Sequence, residues 1–215
     1  MNIIMTGSTS FVGAATVREL LRRGHTVTAI VRPKSSKLDT ILEGNEEALL
    51  SGRLLVTEND LSEPEKLLEK VTKPQDVFCH FGWGGSGSAS RTDKALQEKN
   101  MEISLETIRT AKALGCKKFL FSGSQAEYGM HQDLITEDTV CEPKSLYGEA
   151  KLAMREKGEK LCDELGLRYI HARIFSAYGP GDHPWTLVES CLDAFLNNKE
   201  MSLGACTQKW NFLYI

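Results

Sequence analysis

The most constraining feature of the sequence is a glycine-rich turn between an apolar run and an amphipathic segment near the start of the chain. Residues 2–5 are the apolar run, and residues 6–13 follow with the sequence Thr-Gly-Ser-Thr-Ser-Phe-Val-Gly. Apolar side chains then recur at helical spacing over residues 11–23, and Gly24 follows as a C-cap. A strand, a tight turn and a helix in this order predict the first unit of a parallel α/β sheet.

Short apolar runs continue to alternate with helical segments, which is typical of repeated βαβ units. Further strands are predicted at Thr26–Val31 and at residues 76–81, 117–122 and 167–175. Helices are predicted at residues 63–71, 91–114 and 146–165, the first of them opened by a capping box from Ser62 to Glu65. The pattern predicts a Rossmann-type, doubly wound parallel sheet.

Composition and charge exclude several classes of function. The chain has 215 residues, 41% hydrophobic and 26% charged, with a net charge of −3 and no basic block, which argues against nucleic acid or a membrane surface as partner. No apolar stretch is long enough to span a bilayer, and the start of the chain lacks a signal peptide. The six cysteines show no zinc spacing, so we expect reduced core thiols in a soluble cytoplasmic protein.

The glycine-rich turn suits a pyrophosphate at the N-terminus of the first helix, although an ordinary strand–turn–helix remains the alternative. Gly7 permits the tight turn, and Gly13 permits close packing of helix on strand. Ser10 stands where the dinucleotide pattern has its middle glycine, and its hydroxyl is a candidate phosphate donor. About 20 residues further on, where an acidic residue would select a free ribose 2′-hydroxyl, the chain has Arg32. This favours NADP, with NAD and a merely solvated basic loop as alternatives.

Tyr147 and Lys151 form a candidate proton-transfer pair, because the i,i+4 spacing places both on one face of a helix. A nearby ammonium stabilises a phenolate and lowers the pKa of the tyrosine, so we expect Tyr147 to exchange a proton near neutral pH. Ser124 ends the preceding strand, where a hydroxyl points into the ligand crevice. The alternatives are a surface Tyr–Lys pair and simple turn chemistry at Ser124. Glu127 is either a polar loop residue or a substrate contact.

Several motifs resemble, in the right order, those of the extended short-chain dehydrogenase/reductase family, in particular its NAD(P)-dependent sugar-nucleotide epimerases, dehydratases and ketoreductases. Residues 6–13 resemble the family's T-G-x-x-G-x-x-G turn, and residues 80–83, His-Phe-Gly-Trp, resemble its H-x-A-A stretch. Residues 173–180 resemble R-x-x-N-x-Y-G-P, with Ser176 replacing the asparagine. The remaining matches are Asp60 with Leu61 after the third strand, Asn100 in the long helix, and the trio Ser124, Tyr147 and Lys151.

The resemblance implies three sets of site residues. The catalytic set is Ser124, Tyr147 and Lys151. The cofactor set is Gly7, Ser10, Phe11, Val12, Gly13, Arg32, Asp60, Leu61, Phe81, Gly82, Trp83, Asn100, Ser122, Tyr147 and Lys151. The substrate set is Trp83, Ser124, Glu127 and Ser176, and no metal is implied.

The resemblance further implies hydride transfer at C4 of a sugar nucleotide, with Tyr147 as acid and base. Members that dehydrate 4-keto sugars carry Asp-Glu after the catalytic hydroxyl, where this chain has Gln125 and Ala126. A 4-ketoreductase or an epimerase is therefore favoured over a dehydratase. A catalytically impaired NADP-binding regulator of the same fold remains the alternative.

The length of the chain predicts its domain organisation. Residues 1–176 are the expected cofactor-binding domain, and residues 177–215 the beginning of a substrate-binding lobe. Family members run on for about another hundred residues, so we expect a truncated enzyme whose activity in this form is doubtful. The resemblance also implies a homodimer, since relatives pair through the two long helices, here near residues 91–114 and 145–165, with a monomer as the alternative.

Overall fold

The computed structural model describes residues 1–85, 87, 89–207 and 209–215, which divide into two compact units. The first unit is Met1–Ile174, and the second is Phe175–Ile215. The first contains a six-stranded sheet in which every neighbouring pair is parallel. Its strands are β1 (Asn2–Thr6), β2 (Thr26–Val31), β3 (Leu54–Glu58), β4 (Val77–His80), β5 (Lys118–Ser124) and β6 (Arg168–Ile174).

The strand order β3-β2-β1-β4-β5-β6 is that of the predicted Rossmann fold, and the direction of winding reverses between β1 and β4. Because all six strands are parallel, their carboxyl ends lie along one edge of the sheet. In such folds ligands bind outside this edge at the reversal point. The prediction of a doubly wound parallel sheet is therefore confirmed.

Helices cover both faces of the sheet, and each face has its own apolar core. On one face Val17 and Leu21 of the first helix pack with Met5. On the other face Ile108 and Met154, from the two long helices, pack with neighbours that include Ile4, Phe78 and Phe119. The helices of this unit are α1 (Phe11–Arg22), α2 (Asp39–Leu42), α3 (Glu46–Leu50), α4 (Leu67–Lys70), α5 (Lys94–Ala113) and α6 (Leu146–Leu165).

Capping side chains set where the long helices begin. Asp93 accepts a hydrogen bond from the backbone of Leu96, so α5 begins at Lys94 and not at residue 91 as predicted. Ser145 caps α6 in the same way, and Gly166 ends it in a left-handed conformation, φ +66°.

The capping box predicted at Ser62 is not formed. The backbone N–H and hydroxyl of Ser62 both donate to Asp60 Oδ1, at 2.8 and 2.6 Å. The predicted helix at 63–71 is a 3-10 turn, Pro64–Lys66, followed by the single turn of α4. The local Asx-type bonds at Asp60 therefore replace the helix cap.

The second unit contains two short strands, β7 (Ser176–Tyr178) and β8 (Phe212–Tyr214), and the helix α7 (Leu187–Leu196). The two strands pair in parallel as a separate sheet. Within the described part of the chain, no helix is both long and apolar enough to cross a membrane.

The cysteines correct one prediction. Cys79, Cys116 and Cys162 are buried free thiols, as expected, and burial raises the pKa of each to about 12. Cys206 is exposed, and two others, Cys141 and Cys191, are half-buried. The expectation of core thiols is wrong for these three, because they lie in loops and in the less buried second unit.

Candidate active site

The glycine-rich turn lies against the end of the neighbouring strand β4. Gly7 has φ +69°, and a side chain there would come within 2.7 Å of the Phe81 backbone. A side chain at Gly13 would overlap the Gly7 carbonyl oxygen. The turn therefore requires glycine at both positions, and it delivers the N-terminus of α1 to the carboxyl edge at the reversal point.

Ser10 is the N-cap of α1. Its Oγ accepts a hydrogen bond from the Gly13 N–H at 3.1 Å, and the side chain is exposed. A hydroxyl that accepts this bond keeps its own proton for donation to a ligand. Phe11 and Val12, the first two residues of α1, are half-buried.

Three more predicted cofactor residues follow β2 and β3 at the same edge. Arg32 comes directly after β2 and is exposed. Asp60 has a lowered pKa, first because Ser62 donates to it and then because of the charges of Lys99 and Arg32. The Leu61 side chain packs on Gly82, where an added Cβ would meet it at 2.6 Å. This packing explains the glycine at position 82.

A buried histidine fastens the loop after β4. The ring of His80 lies between Thr6 Oγ1 at 2.8 Å and Ser104 Oγ at 3.0 Å. Ser104 donates its proton to the Asn100 carbonyl, so His80 donates through Nε2 and accepts from Thr6 through Nδ1. Burial lowers the pKa of His80 to about 3, which keeps the ring neutral.

Asn100 supports this loop from α5. Its Oδ1 accepts from the Gly84 N–H and its Nδ2 donates to the Gly84 carbonyl, both at 2.9 Å. The side chain is 3% exposed and these bonds use its amide. Its position indicates that Asn100 supports the loop, and the cofactor contact predicted for it stays a prediction.

Lys151 reaches the carboxyl end of β5 from α6 and is 2% exposed. Its Nζ donates to the Ser122 carbonyl at 2.8 Å. It also lies 3.9 Å from the ring centre of Trp83 and 4.6 Å from that of Phe121. Burial lowers the pKa of Lys151 to about 7, against an opposing effect of the negative charge of Glu127.

Tyr147 lies next to Lys151 and Trp83. Its ring centre is 5.7 Å from the Lys151 Nζ, and its ring is edge-on to that of Trp83. Burial raises the pKa of Tyr147, while a hydrogen bond with Ser124 and the charge of Arg91 lower it. Glu127 raises it further. The expected lowering of this pKa by Lys151 is therefore not seen, because the desolvation of the phenol outweighs its partners.

Arg91 is a residue that the sequence analysis missed. It belongs to a 3-10 turn, Ala89–Thr92, in front of α5. Its guanidinium carbon lies 5.0 Å from the centre of the Tyr147 ring. Nothing in the local sequence distinguishes this arginine from other exposed cations, and only the packing of the turn against α6 brings it to the phenol.

Ser124 ends β5 and begins a tight turn, Gln125–Glu127, that is closed by a capping box. Its Oγ accepts from the Ala126 N–H at 3.2 Å, and its own N–H donates to Glu127 Oε1 at 2.7 Å. Glu127 is fully buried, and both carboxylate oxygens are engaged within the protein. In this position Glu127 supports the turn after β5, and the substrate contact predicted for it stays a prediction.

Ser176 belongs to the second compact unit. Its Oγ accepts a hydrogen bond from the Trp210 indole N–H at 2.6 Å. Within the first unit, the structure brings together Ser124, Tyr147, Lys151, Trp83 and Ser122. Among the described residues, no three His, Cys, Asp or Glu side chains are grouped to hold a metal ion.

The sequence model of the NAD dependent epimerase/dehydratase family matches residues 3–215 of this chain. The chain belongs to this family. The matched range includes residues of all six strands of the sheet, the glycine-rich turn and the residues Ser124, Tyr147 and Lys151.

Individual proteins that match the chain share between 25% and 30% of their aligned residues with it in the three cases that follow. The chain is 27% identical over its whole length to an uncharacterized UDP-glucose epimerase of Bacillus subtilis, of which the match covers 69%. It is 30% identical to D-erythronate dehydrogenase of Cupriavidus necator, over 81% of this chain and 53% of that protein. Among solved structures, UDP-N-acetylglucosamine 4-epimerase of Methanobrevibacter ruminantium matches with a TM-score of 0.84 and 25% identity, over 99% of this chain and 68% of that one. The chain thus spans between about half and about two thirds of these relatives.

Proposed function

We propose that this protein transfers a hydride between NADP and C4 of a sugar nucleotide, as a 4-ketoreductase or an epimerase, with Tyr147 as the acid and base. One observation carries the proposal: Tyr147, Ser124 and Lys151 converge at the carboxyl end of β5, on the same edge as the turn that begins α1. The relatives named above include epimerases and a dehydrogenase. Both kinds of reaction move a hydride and a proton.

The residues at this edge fit a dinucleotide. The Gly7 turn and the N-terminus of α1 suit a pyrophosphate. Arg32 and Ser35, after β2, suit a ribose 2′-phosphate, which favours NADP over NAD. The nicotinamide ring of such a cofactor supplies the position that accepts or releases the hydride.

The chain's own residues would manage the proton. The phenol of Tyr147 would donate to a keto oxygen in reduction and accept from a hydroxyl in oxidation. Ser124, which shares a hydrogen bond with Tyr147, would orient the same oxygen. Lys151 would stabilise developing negative charge in this partly desolvated place, while Trp83 and Phe121 exclude water from its ammonium.

The remaining proposals concern assembly. We propose that residues 177–215 begin the substrate-binding lobe, because a second compact unit, Phe175–Ile215, follows β6 directly. We also propose a homodimer formed through α5 and α6, and light scattering of the purified protein tests it. A monomer would contradict this part alone.

Replacing Tyr147 by Phe tests the central proposal. The change removes only the ionisable oxygen, so we expect turnover of a 4-keto-6-deoxy sugar nucleotide to fall by about 100-fold or more, with NADPH affinity little changed. Consumption of NADPH measures the first quantity, and fluorescence titration the second.

The same variant separates the catalytic proposal from a regulatory one. Ser10 in the phosphate turn and Ser176 in the second unit depart from the family pattern, and they favour a cofactor-binding regulator as the second candidate. Such a protein would bind NADPH in both forms and turn over in neither. Equal turnover by wild type and Tyr147→Phe would rule out Tyr147 as the acid and base.

A further inference from the structure

The turn that follows Ser124 contains a fully buried carboxylate, that of Glu127. Glu127 is 0% exposed and belongs to the 3-10 turn that follows β5. Its Oε1 accepts from the backbone N–H of Ser124 at 2.7 Å. Because the Ser124 hydroxyl in turn accepts from the Ala126 N–H, the two side chains close a reciprocal capping box.

Two cations or potential cations from β6 face the other side of this carboxylate. Arg173 Nε donates to Oε2 at 2.8 Å, and His171 Nε2 lies 2.9 Å from Oε1 and 3.0 Å from Oε2. Both side chains are largely buried, with 11% and 8% exposed. Tyr169 continues the network, with its hydroxyl 3.1 Å from His171 Nδ1 and 2.9 Å from the Met154 carbonyl.

These hydrogen bonds connect β6 to the end of β5, and they hold the turn Gln125–Glu127 in place. The two terminal nitrogens of Arg173 donate elsewhere. Nη1 donates to the hydroxyl of Tyr128 at 2.8 Å, and Nη2 donates to the sulfur of Cys141 at 3.4 Å. A buried ion pair of this kind adds little net stability but strongly specifies geometry when every hydrogen bond is made. The group whose geometry it specifies is Ser124.

We propose that Glu127 is a positioning residue of the active site, which holds the Ser124 hydroxyl at Tyr147 through the capping box and is itself held by Arg173 and His171. This inference rests on the proposed function, since it assigns a role only if Ser124 and Tyr147 act on substrate. It adds a buried acidic residue to the catalytic trio and accounts for a carboxylate that the proton transfer itself does not use.

An amide cannot replace this carboxylate without loss. The Ser124 N–H, the Arg173 Nε–H and the His171 Nε2–H all donate to Glu127, which accepts with both oxygens. A glutamine would turn an NH₂ group toward at least one of these donors. The turn would then shift, and with it the Ser124 hydroxyl.

The charge of Glu127 also acts on the neighbouring groups of α6. It raises the pKa of Tyr147 and that of Lys151. The other groups that face this region are Arg91, which lowers the pKa of Tyr147, and the pair Arg173 and His171, whose hydrogen bonds and charge lower the pKa of Glu127 against its burial. Neutralising Glu127 therefore lowers both pKa values on α6.

The test is Glu127→Gln in the full chain, measured as a pH profile of keto-sugar reduction. We expect kcat to fall by between about 10- and 100-fold, because misplacing a catalytic hydroxyl has effects of this size, while the Kd for NADPH stays within about twofold. The basic limb of the kcat profile should also move to lower pH, since Tyr147 must be protonated to donate. A purely structural role would not move that limb.

Glu142→Gln is the matched control, because Glu142 is exposed, pairs only loosely with Lys144 at 3.6 Å, and lies outside the site. If Glu127→Gln does not fold, the double variant Glu127→Gln with Arg173→Gln removes both buried charges together and keeps the test available. The fall in kcat is expected in it as well.

The outcomes separate the two proposals. If Tyr147→Phe abolishes turnover and Glu127→Gln leaves both kcat and the pH profile unchanged, the positioning role is wrong and the proposed function stands. If Tyr147→Phe has no effect on turnover, the proposed function fails and the role of Glu127 fails with it.

Discussion

At the scale of single residues, the proposed active site depends on how burial is balanced against charge. Burial raises the pKa of Tyr147 and lowers that of Lys151 to about 7, so each group is pushed toward its neutral form. Ser124 and Arg91 oppose this change at the tyrosine. The pKa of the phenol therefore depends on groups of β5 and of the 3-10 turn before α5, and not on the i,i+4 pair alone.

Arg91→Gln tests this balance at the residue scale. Removing a positive charge destabilises the phenolate, so the pKa of Tyr147 rises and the basic limb of the reduction profile moves to higher pH. This direction is opposite to that expected for Glu127→Gln. Steady-state kinetics across the pH range measures the shift, with the exposed Arg109 of α5 changed to Gln as control. A limb that stays in place would exclude an electrostatic role for Arg91.

At the scale of elements, the site is built where loops are held against the ends of strands. The turn after β1 packs on the backbone after β4, and His80 and Asn100 fix the loop that carries Trp83. The capping box at Ser124 fixes the turn after β5. Rigid strand ends thus position side chains that a free loop would not hold.

Gly7→Ala is expected to disrupt the first of these contacts. The left-handed conformation at φ +69° and the approach to Phe81 both disfavour a Cβ, so the free energy of unfolding should fall by about 1–3 kcal/mol. NADPH binding should weaken as the turn shifts. Chemical denaturation and fluorescence titration measure the two effects. Gly24→Ala is a control for the conformation alone, since nothing crowds that position, φ +78°. Equal losses in both variants would mean that the Phe81 contact is unimportant.

At the scale of the whole molecule, the buried lysine links stability to pH. The pKa of Lys151 is about 7 when folded and 10.5 when exposed, so between these values the unfolded chain binds one more proton than the folded chain. The free energy of unfolding of the cofactor-free protein then rises with pH above 7, at about 1 kcal/mol per pH unit. Urea unfolding between pH 7 and about 8.5, below the ordinary thiol pKa, measures this slope.

Lys151→Met should abolish that rise, because methionine keeps the aliphatic stem and has no proton to lose. Lys112→Met, at an exposed lysine in the last turn of α5, should leave it unchanged. A wild-type stability that is flat across this range would contradict a largely desolvated Lys151.

The fold could be predicted from the sequence, and so could the elements on which the candidate site residues lie, because local patterns encode both. The β-branched residues predicted β2, and the segment closed by Gly166 predicted α6, each with the bounds that the structure has. Strand–turn–helix order predicted the turn that contains Gly7 and Gly13. Errors arose where one local bond replaced another. At Ser62 a bond to Asp60 replaced the expected helix cap, and at Asp93 a cap began α5 later than predicted.

The sequence by itself determined the parallel sheet, the glycine-rich turn and the spacing of Tyr147 and Lys151, since each follows from residues close together in the chain. Only the tertiary structure decided which charges act on them. Glu127, His171 and Arg173 meet because β5 and β6 are neighbours in the sheet, and Arg91 reaches Tyr147 because its turn packs against α6. Burial and long-range electrostatics depend on these contacts between distant segments, and no local pattern in the sequence specifies them.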